Sequence, residues 1–249
     1  MPVVCLDAGH FGKYNQSKVY PSYYESDMTW KLHLLLKKEL EAHGIRVKTT
    51  RDSKDVDLTE HLRGMKAQGC DLFLSLHSNA CDTESVDRAV VVTYQDLDWT
   101  DIDDASQGLA YKLGECIKDV MGLSSYQIYQ KRSDYDRDGN GKLDDEYYGV
   151  LYGSRKVGVS GVIIEHGFHT NTKCAKWLSD DSNLEKLAKS EANVVAEFFG
   201  LKKNEEWYAD AQRWAIENGI ADGTRPNDQA TRAEVWTMLQ RLSNKTEVK

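Results

Sequence analysis

The chain has 249 residues, 40% of them hydrophobic and 29% charged, with a net charge of −8 and a mean hydropathy of −0.61. That length holds one large α/β domain, or one plus a small appendage, at roughly 100–200 residues per domain. The acidic balance argues against nucleic acid or an anionic membrane surface as the main partner, and no apolar run approaches the roughly 20 residues of a membrane span.

The N-terminus, Met1-Pro2-Val3-Val4-Cys5-Leu6, has no basic region or cleavage site and reads directly into a strand over Val3–Leu6. Asp7-Ala8-Gly9-His10 is a tight turn, and 11–24 reads as a loop. From Glu25 or Asp27 to His43 the apolar residues Met28, Leu32, Leu35, Leu36 and Leu40 recur at helical spacing, with Gly44 as the stop. Ile45–Thr50 alternates as a strand. Thr59 is a plausible N-cap for a helix running to Gln68.

Leu72–Leu76, inside Asp71–Ala80, is a short apolar run suited to a strand buried on both faces. Ala89–Tyr94 is another strand, and 96–104 holds five aspartates and reads as a solvated loop. A helix follows over Ala105–Met121, then a short strand over Gln127–Gln130, an acidic loop over 134–146 and a helix over Tyr147–Lys156. Gly161–Glu165 is the last buried strand, 167–172 a loop, and Leu184–Phe199 an amphipathic helix. The alternation predicts an α/β domain over 1–200 with a largely parallel sheet covered on both faces. A polar linker, 201–206, leads to a small all-α module over 207–249 with two helices around a turn-rich loop.

Five cysteines, an odd number without CxxC spacing, suggest neither a disulfide framework nor a thiolate metal site. The chemistry gathers instead where strands end, at His10, His77 and Glu165. In open α/β sheets ligands bind at the carboxyl ends of the strands. Zinc favours imidazole and carboxylate ligands, and a catalytic site typically leaves one position open for water. His10 and His77 can converge at one edge, and Glu25 is the nearest carboxylate that could cap it. Glu165, after Val162-Ile163-Ile164, would be costly in a core without a partner, so a place beside a metal as the catalytic base makes sense of it.

Together, Leu6-Asp7-Ala8-Gly9-His10, Glu25, Ser75-Leu76-His77-Ser78-Asn79-Ala80 and Ile164-Glu165-His166-Gly167-Phe168-His169-Thr170-Asn171 resemble the zinc-dependent N-acetylmuramoyl-L-alanine amidases of the amidase-3 type. The resemblance covers about residues 1–200. It implies a six-stranded mixed sheet flanked by helices, one catalytic Zn2+ on His10, Glu25 and His77, and Glu165 as the catalytic glutamate. The implied reaction cleaves the amide between the muramic acid lactyl group and the L-alanine of the peptidoglycan stem peptide. Two departures stand out: Phe11-Gly12 replaces the usual Gly-Gly after the first histidine, and His166 stands where the family often has a small or apolar residue. His166 is read either as a hydrogen-bonding group at the site or as structural. Asn79, His169 and Asn171 are candidates for substrate contact, whereas His33, His43 and His61 read as surface or capping residues. With no secretory signal, the expectation is an endolysin-like enzyme made in the cytoplasm and acting on the wall after release. A zinc peptidase or deacetylase on another amide, and a non-catalytic wall-binding protein, are the alternatives.

Asp136, Asp138 and Asn140 with Gly141, then Asp144, match the first part of an EF-hand loop, but the twelfth position is Tyr147. Both Ca2+ binding and a solvated acidic turn remain open. In the last module, Trp207-Tyr-Ala-Asp210, Asp222-Gly-Thr-Arg-Pro226 and Thr231-Arg-Ala-Glu234 resemble one S-layer homology repeat. That resemblance implies binding of secondary cell-wall polysaccharide, self-association into a homo-oligomer, or simple packing on the main domain.

Overall fold

The computed structural model describes residues 1–94, 105–201, 209–225 and 228–246. The acidic stretch 96–104 and most of the linker 201–206 lie outside them. One sheet carries β1 (Val3–Ala8), β2 (Arg46–Thr49), β3 (Leu72–Asn79), β4 (Arg88–Thr93), β5 (Ser125–Tyr129) and β6 (Gly161–Phe168) in the order β2-β1-β3-β6-β4-β5. β2, β1, β3 and β6 are parallel, β4 pairs antiparallel with β6, and β5 follows β4. The mixed, largely parallel α/β sheet expected from the sequence is the one observed.

Strand alternation sorts the core into two layers. Val4, Leu6, Leu72, Leu74, Leu76, Val162 and Ile164 face α1 (Glu25–Ala42), α3 (Ala105–Met121), α5 (Thr172–Leu178) and α6 (Asp181–Phe198). Cys5, Phe73 and Ile163 face the other way, toward α4 (Gly149–Lys156) and Ala67, which follows α2 (Glu60–Met65). α2 and α4 touch through glycines. A Cβ at Gly64 would meet the Val150 carbonyl oxygen at 2.1 Å, and one at Gly153 the His61 oxygen at 2.2 Å.

Element boundaries depart from the sequence reading in two instructive places. β6 continues through Phe168 where a loop was expected, and α5 begins at Thr172 where no helix was expected. Gly167 adopts φ 78° within the strand instead of ending it. Asn171 caps α5, its side chain accepting from the amides of Lys173 and Cys174. His33 is buried on α1 rather than exposed, with Nδ1 2.5 Å from the Trp30 carbonyl oxygen. All five cysteines are free.

Residues 202–249 form a separate compact unit with α7 (Ala209–Glu217) and α8 (Arg232–Thr246). Ile220 is buried there, while Trp214, Trp236 and Leu239 are at least half exposed. Among the described residues no helix is long and apolar enough to cross a membrane.

Candidate active site

His10 leaves β1 with φ 60°, a left-handed conformation uncommon for a residue with a Cβ. The turn is held from both sides: Gly9 donates to the Leu76 oxygen at 2.9 Å, and Thr29 Oγ1 on α1 donates to the Gly9 oxygen at 2.7 Å. Gly9 is required here because the His77 ring lies on it. A Cβ would stand 2.3 Å from His77 Cε1.

Glu25 opens α1 and is 1% exposed. Its Oε1 lies 2.9 Å from His77 Nδ1 and accepts from the Ser78 amide at 3.0 Å. Its Oε2 lies 3.2 Å from His10 Nε2 and accepts from Asn15 Nδ2 at 2.6 Å. Burial pushes this carboxyl up, but hydrogen bonds from His10 and His77 outweigh it and hold Glu25 well below the ordinary carboxylate range. The donor atoms of His10, Glu25 and His77 all lie within 4.8 Å of one another.

Glu165 is the register partner of His77 across β3 and β6, so the two share one face at adjacent strands. Its Oε2 is shielded from water and has no hydrogen-bond partner among the described residues. Burial, with the charge of Glu25 behind it, pushes the Glu165 carboxyl well above its usual value. Four residues far apart in sequence thus meet at one sheet edge: two imidazoles around the shared Glu25 carboxylate and, beside them, one acid with no partner among the described residues.

A supporting layer escaped the sequence reading. Tyr23 Oη lies 2.6 Å from Ser78 Oγ, which in turn lies 2.9 Å from His169 Nδ1, while Ser17 Oγ donates to the His169 oxygen at 2.6 Å. The only sequence signal was proximity, with Ser78 beside His77 and Tyr23 two residues before Glu25. Beneath the turn, buried Asp7 accepts from Arg63, Ser75 and Thr50 at 2.6–2.7 Å and braces the end of β1.

The three substrate-contact candidates occupy different settings. His169 is 3% exposed, and its ring stacks on Tyr23 with centroids 5.6 Å apart. Asn171 is engaged in capping α5. Asn79 Oδ1 accepts from the following amide of Ala80 at 2.8 Å, while its own carbonyl accepts from His169 at 2.8 Å.

In the acidic loop, ligand atoms of Asp136, Asp138 and Asp145 come within 4.8 Å of one another, so that among the acids Asp145, rather than the expected Asp144, joins the first two. Asp136 accepts from the Gly139 and Gly141 amides at 2.7 and 2.8 Å, Asp145 takes the Arg137 amide, and Asn140 Nδ2 donates to Asp138 at 3.1 Å. In the C-terminal unit, Thr231 and Glu234 form a capping box for α8: the Thr231 amide donates to Glu234 Oε2 at 2.7 Å and the Glu234 amide to Thr231 Oγ1 at 3.2 Å. Asp222, Arg225 and Glu234 line an open cleft of about 600 Å3 within that unit.

Comparison with known proteins agrees with this architecture. The catalytic domain of CwlV, an N-acetylmuramoyl-L-alanine amidase from Bacillus (Paenibacillus) polymyxa var. colistinus, superposes with a TM-score of 0.63 at 21% identity over 81% of this chain and all of that one. The CwlD amidase of Clostridioides difficile, solved in complex with the GerS lipoprotein, gives 0.61 at 21% identity over 81% of this chain and all of that one. Cwp6 from Clostridium difficile gives 0.65 at 20% identity, with 81% of this chain matching only 29% of the longer protein. At these identities the likeness speaks for the fold. No curated protein matches in sequence. Residues 4–197, more than three quarters of the chain, match the amidase-3 family model, described as N-acetylmuramoyl-L-alanine amidase, and the chain belongs to that family of peptidoglycan amidases.

Proposed function

We propose that this amidase is zinc-dependent, that His10, Glu25 and His77 hold the ion, and that Glu165 is the proton-transferring residue. The observation that carries the reading is the convergence of the two imidazoles on the buried Glu25 carboxylate, with Glu165 unpartnered alongside. The donor set fits: two ring nitrogens and a carboxylate suit zinc, and a dication would replace the two protons that otherwise lie between imidazole and carboxylate. When bound, zinc supplies Lewis-acid chemistry, drawing charge from an amide carbonyl and acidifying water.

The chain's own residues supply the rest. Asn15 and the Ser78 amide hold the Glu25 carboxylate in place from outside the triad. Glu165 takes the proton from the attacking water and returns it to the amide nitrogen of L-alanine, which then leaves as a free amine. The partly dehydrated setting that raises its affinity for a proton suits that return step. The C-terminal unit is proposed to hold the enzyme on the wall or to self-associate, on the strength of its sequence resemblance and its exposed tryptophans.

Product analysis on purified peptidoglycan tests the reaction. Release of L-alanine amino termini without new reducing sugars is expected, dependent on zinc and lost together with metal content in His77→Ala. Reducing ends, or cleavage within the stem peptide, would reject it.

A further inference from the structure

β6 carries a second ionisable side chain that the reaction leaves unused. His166 follows Glu165 and by alternation points to the opposite face, the layer shared by Ile164 and α6. It is fully buried, as is Glu191 on α6. His166 Nε2 lies 2.7 Å from Glu191 Oε1, and Nδ1 lies 2.8 Å from the carbonyl oxygen of His77. A carbonyl can only accept, so Nδ1 carries a proton and donates it to the backbone of the candidate metal ligand. An ionisable pair among aliphatic residues is seldom more stabilising than an apolar pair of the same volume. Its place in the sheet suggests another use.

β3 and β6 run in register through His77 and Glu165, and then Asn79 stands opposite Phe168. His166 and Gly167 therefore oppose the single residue Ser78, which is a β-bulge. Gly167 takes φ 78°, and a Cβ on it would lie 2.6 Å from Cys174 Sγ. Beyond the bulge, Phe168 packs in the layer of Ile163, a face that unbroken alternation would deny it. The slip thus falls between the assigned ligand and base on one side and the His169 support on the other. His166 bonds the His77 carbonyl at that point.

We propose that His166 and Glu191 are positioning residues: Glu191 anchors the imidazole from α6, and the imidazole holds the His77 carbonyl so that the bulge falls after, not before, the His77 and Glu165 pair. A slip of one residue earlier would turn one of those two side chains away from the site. The inference rests on the proposed roles of His77 and Glu165.

The test compares the full chain with Glu191→Gln and with the double variant His166→Leu/Glu191→Leu, which removes both members of the ionisable pair and takes from the His77 carbonyl only the proposed donor. Zinc affinity is measured by chelator competition, the absorption spectrum after cobalt(II) substitution is recorded, and kcat and KM are obtained on a soluble muropeptide. The double variant is expected to melt close to the parent, bind zinc roughly 10- to 100-fold more weakly, show an altered cobalt spectrum and lose kcat with KM unchanged. A folded double variant with parental zinc affinity, spectrum and kcat would overturn the proposal in favour of a purely structural pair. Should the double variant not fold, Glu191→Gln decides: it keeps volume and an acceptor, and a several-fold loss in zinc affinity and kcat is expected, while parental values overturn the proposal. A parent that binds zinc but frees no L-alanine amino termini defeats the assigned reaction and leaves the affinity comparison to judge the pair. A parent that binds no zinc defeats both.

Discussion

Glu165 is held at a cost to the fold. A shielded carboxyl oxygen without a partner is destabilising, so Glu165→Ala is expected to raise the melting temperature slightly while leaving zinc in place. Activity on peptidoglycan should fall by roughly a hundred- to ten-thousand-fold, the usual contribution of a positioned proton-transfer group. Melting and turbidity assays on one preparation read both effects, and full activity would remove Glu165 from its role. His33 shows the opposite economy. Burial, offset only in part by its bond to the Trp30 carbonyl, lowers its pKa to about 4, so the ring is neutral in the folded chain at neutral pH. The unfolded chain takes up a proton below about 6.5, so stability present above that pH is lost as pH falls toward 4, by up to about 3 kcal/mol. Urea midpoints measured across this window should drop less steeply in His33→Phe than in the parent.

At the scale of elements, α2 and α4 approach closely enough that glycine is required at their contact. Gly153→Ala would place a methyl 2.2 Å from the His61 carbonyl oxygen, so the helices must separate. A loss of about 1–3 kcal/mol is expected in chemical denaturation, and parental stability would show that the contact yields freely. The sequence made most elements legible because their patterns were local: α3 runs over Ala105–Met121 as its spacing predicts, and the apolar run at 72–76 became the buried β3. It misled at the two ends of 167–172, where Gly167 sits in a bulge inside β6 and Asn171 caps α5, while 169–171 is the loop expected. His10, His77 and Glu165 could be named from their strand-end positions, and Glu25 as the nearest carboxylate, at the start of a helix. The Tyr23, Ser78 and His169 layer could not, because its hydrogen bonds join residues 55 and 91 positions apart.

At the scale of the whole molecule, two units differ in what holds them together. Residues 1–201 have a continuous core on both faces of the sheet, whereas the C-terminal unit exposes Trp214, Trp236 and Leu239. A chain cut after residue 201 should therefore melt as a cooperative unit and retain zinc and hydrolysis of soluble fragments, while clearing whole walls more slowly. Equal clearing of walls by the cut and full chains would leave the second unit without a part in wall attachment.

The strand order has one more consequence, in time. β3 is flanked by β1 and β6, so the two imidazoles, the Glu25 carboxylate and Glu165 are contributed by segments that span residues 10 to 165. β6 is the last of the sheet's six strands to be made, and no earlier fragment can offer Glu165 or the neighbour that sets the His77 register. During synthesis, N-terminal segments emerge first, so with Glu165 in its proposed role a ribosome-bound chain that has not yet exposed β6 is expected to leave an amide uncut. The proposal then expects wall-cutting capacity to arrive near the end of translation of the domain, and chains stalled before β6 should be inert when assayed on soluble muropeptides.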